Sequence, residues 1–219
     1  MISLDIEILY QNKNLVVCEK PVGIISESPG LPDLIEMQTG KHTWPVNRLD
    51  QGTGGLCVLA FSSAACAEMQ KVFRQENVQK RYMAVISGKP EDENGVFTDL
   101  LFHDKRNNKT FIVNRRRNGV KEASLSWKLV RTVSCNGSDM SLVSISLHSG
   151  RSHQIRIQFA SRGMPLIGDG KYGSRIKADA PALWAAGISF ADPFDMNKTV
   201  NVVSVPPASF PWNMFADDL

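Results

Sequence analysis

The sequence predicts an α+β domain built on a mostly antiparallel mixed sheet, flanked by a few helices and loops. Three observations predict it. Short apolar or alternating runs recur along most of the chain, while only two stretches hold helical spacing. Strands and helices do not alternate strictly, which argues against a parallel βαβ array. Hydrophobic residues are 42% of the 219 and charged residues 21%, enough apolar surface for one core and too much for a disordered chain. A single domain over residues 1–219 is expected.

The elements follow in order. Residues 6–10 and 15–19 are short apolar runs split by Gln11-Asn12-Lys13-Asn14, a hairpin pattern. Residues 26–46 hold Pro29, Gly30, Pro32 and Gly40 with weak periodicity and read mostly as loop. Residues 56–61 form a continuous apolar run after Gly54-Gly55, a buried strand. Ser62 or Ser63 then caps a helix in which Ala65, Met69, Val72 and Phe73 fall at helical spacing, ending near Asn77. Residues 81–86 alternate, with Tyr82, Ala84 and Ile86 on one face. Further strands are expected at 96–102, 110–113, 124–130, 141–148, 183–190 and 199–205, with a polar turn at 134–139. A second helix is expected at about 152–162, with Gly163 as its C-terminal cap. The Phe210-Pro211-Trp212 tail reads as a packing segment.

Composition excludes several classes. No apolar run reaches the roughly 18 residues a membrane helix needs. The N-terminal Met1-Ile2-Ser3-Leu4-Asp5-Ile6-Glu7 lacks a basic region followed by an apolar stretch, so no secretory leader is expected. Cys18, Cys57, Cys66 and Cys135 form no C-x-x-C pair and read as small thiols, three of them beside apolar residues, in a reducing cytosol. The net charge of +3 permits an anionic partner without demanding one. Its distribution says more. Lys105, Arg106, Lys109, Arg115, Arg116, Arg117 and Lys121 form one basic group, and Arg151, Arg156, Arg162, Lys171, Arg175 and Lys177 another.

Three segments concentrate chemistry. Asn47-Arg48-Leu49-Asp50-Gln51-Gly52-Thr53-Gly54-Gly55 sets a carboxylate beside an arginine in a glycine-rich loop before a buried strand. By itself that is also the pattern of a local ion pair. Lys80-Arg81-Tyr82 opens a strand with a tyrosine that a sheet face would equally accept as packing. His148-Ser149-Gly150-Arg151-Ser152-His153-Gln154-Ile155-Arg156 is densely polar where a strand passes into a helix. A helix beginning near Ser152 puts Arg156 one turn in, on the face of Ser152 and His153, within reach of a carboxylate from another loop.

Taken together, these segments resemble the RluA-type family of pseudouridine synthases. The first is similar to its H-R-L-D-x-x-T-S-G motif and the second to its K-x-Y-x-A-x-x-x-G motif. The third, with Gly163-x-Pro165-x-x-Gly168-Asp169-x-x-Tyr172-Gly173 after it, is similar to G-R-T-H-Q-I-R and its continuation. Ile8-Leu9-Tyr10 to Lys20-Pro21-x-Gly23 matches the family's opening motif. Four ordered motifs over about residues 6–205 are far more specific than any one.

The resemblance implies a fold with a central RNA-binding cleft and an enzyme isomerising uridine in tRNA or rRNA. It implies Asp50 as catalytic aspartate, Tyr82 stacked on the target base and a candidate to remove the proton from carbon 5, and Arg156 paired with Asp50. Arg48 would enter the RNA stack in place of the flipped uridine. Lys80, Arg115, Arg116, Arg117, Arg151 and His153 are the expected further RNA contacts. No metal and no organic cofactor is implied, and the expected state is a cytoplasmic monomer without a separate N-terminal RNA-binding domain.

The chain departs from the pattern in three places. Asn47 stands where His is usual, Gly54 where Ser is usual, and Leu183-Trp184-Ala185-Ala186 where L-L-H-A is usual. Gly54 is expected to loosen the loop that carries Asp50. Two rival functions fit the sequence less well. A catalytically weak relative acting as an RNA-binding chaperone would not need the complete Asp50, Tyr82 and Arg156 set. A serine hydrolase using His153 or His148 would need a G-x-S-x-G elbow, which the sequence lacks.

Overall fold

The computed structural model describes residues 5–74, 78–135, 137–195 and 197–219. The start of the segment read for a leader, the expected helix end near Asn77, and Asn136 in the expected polar turn lie outside the described residues. The chain divides into two compact units, Met1–Lys80 with Trp184–Val205, and Arg81–Leu183 with Pro206–Leu219.

The first unit begins with the hairpin β1 (Ile8–Gln11) and β2 (Leu15–Lys20), as the split apolar runs predict. Residues 26–46, expected as mostly loop, contain the helix α1 (Leu31–Thr39) and the short strand β3 (Trp44–Pro45). The turn-forming residues are the helix's punctuation. Pro32 occupies its first turn, where a missing N–H costs nothing. Asp33 accepts the Gly30 amide at 2.7 Å, and Gly40 closes the C-terminus in the left-handed conformation.

Strand β4 (Gly54–Ala60) is buried throughout and leads to α2 (Ser63–Arg74). The Ser62 hydroxyl accepts the Ala65 amide at 3.1 Å and caps that helix. β4 pairs antiparallel with β2 and β3 and parallel with β10 (Leu183–Ala191), which carries β11 (Thr199–Val203) on its other side.

The second unit is an antiparallel sheet of β5 (Gln79–Ser87), β9 (Ser138–Leu147), β8 (Val120–Cys135), β6 (Asn94–Asp104) and β7 (Lys109–Ile112), in that order. β8 and β9 extend well past the expected runs and shrink the polar turn between them. Ala84 and Ile86 enter a core cluster with Val143, Ile145, Ile155 and Phe159, and Tyr82 packs against it half-buried, so the expected face is observed. Helix α3 (Gln154–Ala160) is shorter than expected and begins after His153. The C-terminal tail packs as expected. Trp212 and Phe215 are buried, and Arg131 donates to the Met214 carbonyl at 2.8 Å.

Candidate active site

Asp50 lies half-buried in the loop immediately before β4. Its carbonyl accepts the Thr53 amide at 2.9 Å, closing a tight turn. The residues on either side are anchored to the segment after β2. Leu49 exchanges two hydrogen bonds with the Ser26 hydroxyl, both 3.0 Å. The Gln51 carbonyl accepts the Gly23 amide at 2.9 Å, and the Gln51 side chain returns a bond of 2.9 Å to the Gly23 carbonyl.

Beneath this turn sits Lys20, fully buried. Its ammonium donates to the carbonyls of Pro21 (2.9 Å), Ile24 (2.7 Å) and Gln51 (3.4 Å). Burial lowers its pKa to about 8, against the pull of Cys57 and Asp50 toward the charged form. Sequence reasoning quoted Lys20 in a motif but gave neither it nor Ser26 a role.

The two departures in this unit explain each other. Gly54 is not a loosened loop residue but the first residue of β4, buried opposite Trp184. A Cβ there would stand 2.1 Å from the Trp184 ring. The missing side chain makes room for the indole, whose N–H donates to Ser204 at 2.9 Å. Asn47 ties down the same region by accepting the Val58 amide at 2.7 Å.

Arg48 is exposed and forms an ion pair with Glu27. Such surface pairs contribute about 0–1 kcal/mol, so RNA can displace this one. Lys80 is half-buried over the Phe73 ring at 5.2 Å, and burial lowers its pKa.

In the second unit, Arg156 is buried on α3 and held by Asp169, with Nε to Oδ2 at 2.6 Å and Nη2 to Oδ1 at 2.8 Å. The guanidinium carbon stands 5.1 Å from the Tyr172 ring centroid. The Tyr172 hydroxyl accepts the Thr110 amide at 2.8 Å and shares a 2.8 Å hydrogen bond with His153 Nδ1. Burial raises the pKa of Tyr172, favouring the protonated phenol. His153 adopts φ 53°, an uncommon left-handed conformation for a residue other than glycine. It is buried within this network. Asp169 and Tyr172 were quoted in the downstream motif without a role. The signal that could have found Asp169 is its chemistry, since a buried arginine needs a carboxylate.

The basic residues lie on exposed turns. Lys105 and Arg106 sit between β6 and β7, and Arg115, Arg116 and Arg117 sit between β7 and β8. Arg116 pairs with the Glu122 carboxylate, while Arg151 Nε donates to the Glu122 carbonyl at 3.1 Å, so these two cations meet at one residue. Arg117 stacks over Phe102 at 4.9 Å.

The RNA pseudouridylate synthase family model matches residues 14–161. The chain belongs to the RNA pseudouridylate synthase family. It is 28% identical over 226 residues to an "uncharacterized RNA pseudouridine synthase" of Haemophilus influenzae, covering 95% of this chain and 91% of the relative. The dual-specificity RNA pseudouridine synthase RluA of the same organism is 28% identical over 177 residues, covering 76% and 77%. The solved structure of human RNA pseudouridylate synthase domain containing 1 superposes with a TM-score of 0.81, at 19% identity, over 96% of this chain and 87% of that one. These likenesses support the RluA-type assignment and the α+β fold. The activity is therefore isomerisation of uridine in RNA, and neither the chaperone nor the hydrolase reading is favoured.

Proposed function

We propose that this pseudouridine synthase acts on uridines in tRNA or rRNA, with Asp50, Tyr82 and Arg156 as its catalytic set. The observation that carries the reading is the Asp50 turn, a carboxylate on a loop whose flanking residues are each hydrogen-bonded in place. In the reaction the bond between uracil N1 and ribose C1′ breaks, the base turns over, and C5 bonds to C1′ while its proton leaves. Asp50 supplies the carboxylate that acts on the sugar or base. Tyr82 stacks on the uracil and takes the C5 proton. Arg156, oriented by Asp169, supplies the positive charge that favours the ionised form of the catalytic acid.

The target uridine must leave its stack, at a cost of a few kcal/mol. Stacking on an aromatic ring, worth about 1–3 kcal/mol per base, offsets much of it. Arg48 replaces the extruded base once Glu27 releases it. The exposed cations from Lys105 to Arg117, with Arg151, bind phosphates, Lys80 contributes further positive charge, and His153 a polar contact. The buried unbridged thiols Cys18, Cys57 and Cys66 fit an enzyme of the reducing cytosol, and we take it to act as a monomer.

Tritium release from RNA labelled at uridine C5 tests the catalytic set. Asp50→Ala and Asp50→Asn should abolish release while RNA affinity stays within about twofold, because the side chain acts on the transition state. Full turnover in either variant removes Asp50 from the mechanism. Pseudouridine mapping of total RNA with and without the gene identifies the target.

A further inference from the structure

We infer that Ser26 is a positioning residue for the isomerisation, fixing the main chain that presents Asp50. The inference rests on Asp50 being the catalytic carboxylate, and deepens that reading.

The geometry around Ser26 is unusual for a lone serine. Its hydroxyl accepts the Leu49 amide and donates to the Leu49 carbonyl, both at 3.0 Å. One side chain thus completes both polar groups of a single buried residue, as a neighbouring strand would. Two bonds to one residue resist its rotation as well as its translation. Ser26 is itself only 5% exposed and backs onto Cys57 of β4, with the two heteroatoms 4.0 Å apart. The hydroxyl therefore has a rigid wall behind it.

On the far side of Asp50, Gln51 is held by the same segment. Gly23 and Gln51 exchange two bonds of 2.9 Å, and the Lys20 ammonium reaches the Gln51 carbonyl at 3.4 Å. Asp50 is bracketed, and both brackets belong to residues 20–26. These contacts are made by the residues on either side of Asp50, so they fix the main chain that carries it. A reacting group must lie about 3–3.5 Å from its target, and a displacement of about 1 Å can cost on the order of 100-fold in rate.

Ser26 does not touch substrate on this account. Its loss should lower the rate of the chemical step and leave docking of RNA unchanged. A merely structural serine would give the opposite pattern, with a lower melting temperature and a normal rate per folded molecule.

The test compares Ser26→Ala, Ser26→Thr and Asp50→Asn with the wild-type chain in single-turnover tritium release, at a temperature where each is folded by circular dichroism. Ser26→Ala should slow the step by about 10- to 100-fold with an unchanged RNA dissociation constant. Ser26→Thr, which keeps the hydroxyl, should recover most of the rate. Should Ser26→Ala turn over within twofold of wild type while Asp50→Asn is dead, the positioning role is refuted and the Asp50 reading survives. Wild-type turnover in Asp50→Asn refutes the reading itself. Should neither Ser26 variant fold, Gln51→Ala removes one bond of the other bracket from an exposed side chain. A several-fold lower kcat at constant KM then supports the bracket, and an unchanged kcat overturns it.

Discussion

The Asp50 turn and the Arg156 helix are two ways of fixing a charged group. Asp50 is half-buried, and its turn is held through its neighbours' main chains, by a serine hydroxyl, a glycine amide and a lysine. Arg156 is buried and held through its own guanidinium, by a two-pronged carboxylate and an aromatic ring. The contrast has a physical logic. A turn can place an acid by gripping the backbone on either side of it, and this frame does so. A buried guanidinium is too costly to leave uncompensated, so its frame is electrostatic. The two frames should therefore fail differently. Damage around Asp50 should appear in the rate, and damage around Arg156 in stability as well.

The largest expected effect tests that distinction directly. Asp169→Asn removes the charge that compensates Arg156 inside the second unit. Breaking a buried pair by removing one partner costs about 3–5 kcal/mol. A urea titration followed by circular dichroism should reveal a loss of that size, with activity falling too. An Asp169→Asn chain as stable as wild type would erase the difference between the two frames.

Tyr172→Phe sharpens the same side of the comparison at lower cost. The ring beside Arg156 is kept, while the Thr110 amide and His153 Nδ1 lose the hydroxyl they share. Leaving buried polar groups unpaired costs about 1–3 kcal/mol. A loss near that range, measured by the same titration, would show that the hydroxyl network supports Arg156 apart from the ion pair. A change below about 0.5 kcal/mol, the ordinary effect of a neutral surface substitution, would mean the ring alone suffices.

Much of this was legible in the sequence, for identifiable reasons. The sequence of strand β9 alternates, and its C-terminal end buries Val143 and Ile145 while exposing Ser146, although Met140 to Val143 are all buried. Period-two patterning survives because one face meets a core. The Asp50 turn was legible because glycines before a buried strand mark a loop that presents a group. Helix α1 was not, because Pro29, Gly30, Pro32 and Gly40 read as turn formers when two of them serve as helix-end residues and one as a first-turn proline. The supports were the hardest to read. Asp169 lies thirteen positions from Arg156 and Ser26 twenty-three from Leu49, distances at which no local period links partners. The pairing of Gly54 with Trp184 was likewise visible only as two separate departures until the strands were aligned.

The smallest expected effect concerns Lys20, the one charged group within the Asp50 frame that is wholly buried. Its pKa is about 8 in the folded chain against an ordinary 10.5. Below pH 8 both folded and unfolded chains carry the proton, and the folded state bears the full cost of burying the charge. Between pH 8 and 10.5 the unfolded chain binds more protons, so stability rises with pH through this group. From pH 7 to pH 9 the gain is about 1 kcal/mol. Unfolding midpoints of wild type and Lys20→Met at the two pH values isolate it, because other titrations are common to both chains. The wild type should gain on the variant as pH rises. Parallel responses would mean that the three carbonyls compensate the ammonium fully. The Asp50 frame would then be held by charge after all, as the Arg156 frame is, and the contrast between the two would narrow to which partner carries the counter-dipole.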